Sequence, residues 1–160
     1  GKCFGSVFSP TPLTYDECMA QKGELGIENC YLNYDYWAGA VKQCDGVNNM
    51  PTMSDLGKLA SAIYKGNPSV GAKQDASNLT YIAGTATSLG LPEHDFSLWA
   101  GEEIGSGTAY SRSFSSDTTP FYQTGRDISD IQAMCLIDYK PPGNVFCCLQ
   151  KGGACGIVNV

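Results

Sequence analysis

The chain has 160 residues, with 10 Lys+Arg against 16 Asp+Glu and a formal net charge of −6. That balance lacks the basic surface of a nucleic-acid binder and the polybasic patch that holds a protein to anionic lipid. No stretch approaches the apolar length of a membrane-spanning helix, and the size leads us to expect a single domain over 1–160 with its own core.

Eight cysteines stand at positions 3, 18, 30, 44, 135, 147, 148 and 155. Their number is even, no CxxC pair occurs, and His94 is the only histidine. Zinc sites need clustered Cys and His ligands, so disulfides in an oxidising compartment are the expectation, with no metal and no cofactor.

In chain order, residues 1–33 read as a cysteine-bearing, turn-rich segment with Pro10, Pro12, Gly23 and Gly26. Cys18 and Cys30 enclose a short loop that a local disulfide would close. Residues 34–45 read as a helix, because Tyr34, Trp37, Ala38 and Val41 follow the i, i+3, i+4, i+7 spacing of a buried stripe, which Cys44 extends. Residues 53–65 read as a second helix. Thr52 is its candidate N-cap with Asp55 three residues on, and Met53, Leu56, Leu59, Ala60 and Ile63 form its apolar face. Gly66, Asn67 and Pro68 stop it. A short helix is expected around 81–89, with Gly90 as its cap and Pro92 beyond.

From Phe96 the period changes. Phe96–Ala100, Thr108–Phe114 and Ile131–Tyr139 read as strands, with Tyr110, Arg112 and Phe114 on one side of the second and Ala109, Ser111 and Ser113 on the other. The segment 141–160 reads as a short glycine-rich tail pinned by three cysteines. Helices first and antiparallel strands after is an α+β order.

Catalytic signatures are missing. His94 lies in a polar turn, Pro92-Glu93-His94-Asp95, and no GxSxG elbow presents a serine. Neither GxGxxG, Walker nor HExxH patterns occur. Glu102 and Glu103 are adjacent on an expected strand and so point to opposite faces. With Glu93 and Asp95 they read as a solvated acidic turn rather than a calcium site, for no EF-hand loop supports one. No cysteine has the electropositive surroundings of a nucleophile. The expectation is a protein that is not an enzyme.

The segment Ile104–Tyr122, IGSGTAYSRSFSSDTTPFY, holds five Ser, three Thr, two Tyr, two Phe and two Gly, and lacks Lys, Glu, Gln, Trp and Met. Rigid aromatics among small hydrogen-bonding residues make a recognition composition. A Ser/Gly-rich exposed hairpin without a ligand is the plain alternative.

A set of motifs in order points further: Tyr36-Trp37-Ala38-Gly39-Ala40-Val41-Lys42-Gln43-Cys44, Met50-Pro51-Thr52-Met53-Ser54-Asp55-Leu56, Leu98-Trp99-Ala100-Gly101-Glu102-Glu103, Ala109-Tyr110-Ser111-Arg112-Ser113-Phe114 and Gln132-Ala133-Met134-Cys135-Leu136. Over residues 15–138 the chain resembles the C-type-lectin-like C-terminal domains of bacterial pilin-like and type II secretion-like proteins, and more distantly the Lcl C-terminal domain family. The resemblance implies two helices packed on a twisted antiparallel sheet, stapled by disulfides. It also implies that Cys44 pairs with Cys135; the short loop makes Cys18–Cys30 the second expected pair, and Cys3 is then expected to bond into the tail. Full-length relatives would carry an N-terminal hydrophobic pilin-like helix, a segment this sequence does not contain. Cys147, Cys148 and Cys155 lie outside the resemblance.

Such folds also serve as variable proteins of diversity-generating retroelements, whose mutagenised AAY codons yield none of the five residue types missing from 104–122. The resemblance therefore implies a diversified binding face at 104–130, with Ile104, Ser106, Thr108, Ser111, Ser113, Ser115, Asp117, Thr119, Phe121 and Tyr122 as contact residues. The expected role is an extracellular module on a bacterial surface or pilus that binds a protein or glycan and works beside pilus or secretion-system subunits. A structural pilin or pseudopilin subunit without a ligand is the second reading. A formylglycine-generating-like oxidase, which requires a reactive cysteine pair, is the third.

Overall fold

The computed structural model describes residues 2–67, 72–138, 144–148 and 155–159, the last two segments as backbone strands. Strand β1, Lys2–Phe4, opens the chain. Helix α1 follows at Tyr15–Leu25, within the segment expected to be turns. Its amphipathic stripe is nearly absent, with only Cys18 and Leu25 buried, so periodicity did not reveal it. The signal lay in Thr14 and Glu17, which form a capping box, and in Gly26, which closes the helix at φ +72°. There a side chain would strain the backbone.

Helix α2, Tyr36–Gln43, is shorter than expected, because Asp35 caps its start by accepting from the Ala38 N–H at 2.9 Å. Trp37, Ala38 and Val41 are buried as the stripe requires, whereas Tyr34 lies outside the helix and is 57 % exposed. Gly39 allows the chain at Thr11 to cross directly against α2, for a Cβ there would run into the Thr11 carbonyl. A single 3-10 turn at Val47–Asn49 leads to α3, Met53–Ile63, which carries the expected Thr52–Asp55 capping box and the expected buried face. Two-residue strands β2, Tyr64–Lys65, and β3, Thr80–Tyr81, pair antiparallel, and α4 spans Ala83–Ser88.

Strands β4, Phe96–Glu103, β5, Thr108–Phe114, and β6, Phe121–Gly125, form an antiparallel sheet in that order. Strand β7 covers Leu136–Asp138, and residues 131–135 of the expected strand lie outside it. Before it, Gln132 and Ala133 make single bridges to Leu98 and Phe8. The expected glycine-rich tail contains β8, Asn144–Cys148, and β9, Cys155–Asn159, which complete a second sheet in the order β7-β1-β8-β9. The protein is thus α+β, with four α-helices, the expected short one near 81–89 among them, and three antiparallel sheets among the described residues.

The period-two alternation of β4 divides the core. Phe96, Leu98 and Ala100 pack with Phe114 beneath α3. Trp99 and Ala109 pack on the other face against Trp37, Ala38 and Val41 of α2. Cys18 is bonded to Cys30, and Cys44 to Cys135 with Cα atoms 5.3 Å apart, which ties the end of α2 to the chain entering β7. Cys3 is also disulfide-bonded. How Cys147, Cys148 and Cys155 are paired lies outside the described side chains. Among the described residues no helix is long and apolar enough to cross a membrane.

Candidate functional site

Arg126, just past β6, is fully buried and spends every N–H on a partner. Its Nε donates to Asp35 Oδ1 at 3.2 Å and its Nη2 to Asp35 Oδ2 at 2.8 Å. Nη2 also donates to the Asn29 carbonyl at 2.9 Å, while Nη1 donates to Glu103 at 3.0 Å and to the Gly105 carbonyl at 2.8 Å. These contacts use the full donor set of a guanidinium, which also stacks over the Trp37 ring at 4.5 Å. Its backbone joins in, with Arg126 N–H donating to Gly107 O and Tyr36 N–H donating to Arg126 O. One side chain therefore holds three loops together: 28–35, 103–107 and 126–128.

Glu103 completes the frame, accepting from the Glu28 and Asn29 N–H groups as well as from Arg126. Glu102, pointing the other way, accepts from the Met53 N–H at 2.8 Å at the head of α3. Burial pushes its carboxyl above the ordinary value, against the lowering effect of that hydrogen bond. The expected solvated acidic turn is thus corrected for this pair. Both are strand residues that satisfy backbone donors of other segments, and no metal-binding group of His, Cys, Asp or Glu occurs among the described residues.

The three loops display apolar side chains to solvent. Leu32 is 81 % exposed, and Tyr34, Ile104 and Ile128 are exposed as well. Leu32, Tyr34 and Ile104 each lie within three positions of a group bonded to Arg126, and Ile128 lies two positions beyond Arg126 itself. Beside them runs a groove of about 320 Å³ lined by Tyr15, Met19, Lys22, Glu28, Asn29, Cys30, Leu32 and Ser106. Apolar side chains gathered on an exposed face mark an interaction surface, whereas single ones do not.

No protein-family model matches this chain, nor does any curated protein or solved structure.

The ten expected contact residues do not share one face. Ile104, Ser106 and Thr108 form the β4–β5 turn, closed by Ile104 N–H donating to Thr108 O and clamped by Arg126. Ser115, Asp117 and Thr119 lie in the β5–β6 turn, at the other end of a strand that rises roughly 20 Å between them. Thr119 is buried, and its carbonyl accepts from the second buried arginine, Arg112, at 2.6 Å. Arg112 Nη atoms also donate to the Ala72 and Gln74 carbonyls, and burial lowers its proton affinity although Asp75 opposes this. Ser115 Oγ is bonded to Thr118, and Asp117 is exposed.

Between the turns, Ser111 is buried opposite Trp99, with its Oγ 2.7 Å from Thr124 Oγ1, and Ser113 pairs with Ser97. Phe121 packs at an angle on Tyr110 and is half-buried, while Tyr122 is 52 % exposed. Ser111 and Thr119 are thus interior groups, bonded to their own protein. Sequence reasoning missed Leu32, Tyr34, Met19, Ile128 and Arg126. The aromatic run Tyr31-Leu32-Asn33-Tyr34 just before a helix cap is the available signal, which the i, i+3, i+4, i+7 spacing masks by placing Tyr34 on the core stripe.

Proposed function

We propose that this protein is an extracellular ligand-binding module whose contact surface is the loop end held by Arg126. One observation carries the reading: loops bearing exposed Leu32, Tyr34, Ile104 and Ile128 are fixed to a single buried guanidinium. Loops ordered before a ligand arrives lose less freedom on binding, so more of the contact energy appears as affinity. The disulfides Cys18–Cys30 and Cys44–Cys135 suit an oxidising, extracellular setting. Display on a bacterial surface or pilus, through a C-type-lectin-like domain, belongs to the same proposal.

A diversified contact face is part of it in narrowed form. Of the ten expected positions, Ile104, Ser106 and Thr108 belong to the turn at this end. A template repeat and a reverse transcriptase beside the gene would support diversification, and a locus with neither would remove it.

The binding role is tested by probing immobilised glycans and proteins with the wild-type chain and with Leu32→Ser/Ile104→Ser. Capture lost in the double variant, at unchanged thermal stability, supports the reading. Capture indifferent to these substitutions, or no capture at all, overturns it.

A further inference from the structure

The exposed charge around this end is mainly negative. Both arginines of the chain are buried, and Arg126 is neutralised by Asp35 and Glu103. Glu28, Asp127 and Asp130 are exposed and form no ion pair among the described residues. Glu28 lines the groove, and Asp127 adjoins Arg126, its Oδ2 lying 3.4 Å from the Tyr31 hydroxyl. Lys22 is the single cation among the lining residues of the groove. Exposed aliphatic side chains are thus accompanied by carboxylates that have no cationic partner among the described residues, on a chain of net charge −6.

We infer that the partner is a protein whose contact surface sets apolar side chains beside lysine or arginine. This rests on the binding role proposed above and names its partner class. Two physical reasons select it. Leu32, Ile104, Ile128 and Met19 gain free energy only by removing apolar surface from water. A hydroxyl-covered sugar face offers them little, whereas the side chains of a protein do. The exposed carboxylates then attract a basic rim, which steers encounter and fixes orientation. A second copy of this chain is disfavoured, because it would bring the same acidic rim against itself.

The test uses the 160-residue chain as bait for a random-peptide library displayed on phage, followed by titration of the selected peptides. The expected peptides combine Lys or Arg with Leu, Phe, Tyr or Trp. Their affinity should fall about tenfold or more for Leu32→Ser/Ile104→Ser, as loss of a buried apolar anchor does. It should fall severalfold for Glu28→Gln/Asp127→Asn and on raising the salt concentration. Ile137→Ser, an exposed apolar position on β7, should leave it unchanged.

Peptides that map to this end but are neutral or acidic, or that ignore salt and the carboxylate variants, overturn the partner class and leave the contact surface standing. Peptides that ignore Leu32→Ser/Ile104→Ser overturn the contact surface itself. Capture of glycans by this end, with no peptide selected, replaces the protein partner with a carbohydrate. Unchanged thermal unfolding of each variant shows that affinity, not folding, was altered.

Discussion

Arg126 and Asp35 meet in a two-pronged ion pair, at 3.2 and 2.8 Å, with both side chains wholly buried. Asp35 simultaneously caps α2 through the Ala38 N–H and accepts from the Tyr31 N–H. The start of a core helix and the shape of the exposed loops therefore depend on the same two residues.

Arg126→Met is expected to cost about 3–5 kcal/mol, because it leaves buried carboxylates without their cation. Arg126→Lys should recover little of this, since an ammonium cannot reproduce the planar fork that reaches Asp35, Glu103, Gly105 and Asn29 together. Urea unfolding measures both. A loss below about 1 kcal/mol for Arg126→Met, the range of an exposed pair, would show that the pair is not the frame described.

The two disulfides should differ in weight. Cys44–Cys135 closes a separation of 91 residues and Cys18–Cys30 one of 12. In the chain-entropy model their replacement by alanine pairs lowers stability by about 4–5 and about 3 kcal/mol, respectively. Denaturation midpoints of the two double variants give the order, and peptide mapping without reduction checks the pairs.

Substitutions along 104–122 should separate by position. Ser111→Ala leaves the half-buried Thr124 hydroxyl without its partner, an expected loss of about 1 kcal/mol. Ser106, exposed in its turn, should tolerate Ala within about 0.5 kcal/mol. Thermal unfolding of the pair decides this, and equal losses would contradict the burial pattern.

Two acids should shape the pH profile in opposite senses. Burial raises the Glu102 carboxyl, so its contribution is complete below the ordinary unfolded value and is lost as pH rises through the folded one. The backbone hydrogen bond from Thr14 lowers Glu17, so its contribution is present above the unfolded value and is lost as pH falls through the folded one. Glu102→Gln should thus gain on the wild type as pH climbs from acid toward neutral, and Glu17→Gln should lose on it. Tyr81, pushed up to about 12 by burial and secondarily by Glu93, should still be protonated at pH 10 and cost stability as pH rises further. The difference in phenolate absorbance between the wild type and Tyr81→Phe tracks Tyr81 among the nine tyrosines, and unfolding at several pH values tests the carboxyls.

Much of the fold was legible where local rules govern it. Thr52 and Asp55 announced α3, the stripe Trp37–Ala38–Val41 announced α2, and alternation announced β4 and β5. Helix α1 was hidden because its burial rests on Cys18 and Leu25 rather than on a repeated stripe. Strand β1 and its pairing with β7 and β8 were hidden because the partners lie at opposite ends of the chain.

Composition and spacing by themselves determined the acidic charge, the disulfide chemistry, the α+β order and the odd make-up of 104–122. These depend on which residues are present and on periods of a few positions. Only the tertiary structure decided which part of that window faces outward. The rise of β5 carries its two turns to opposite ends, and side-chain burial turns Ser111 and Thr119 inward. It also brought Arg126 to Asp35 across 91 residues. No local period encodes that contact, because it arises where packed elements meet.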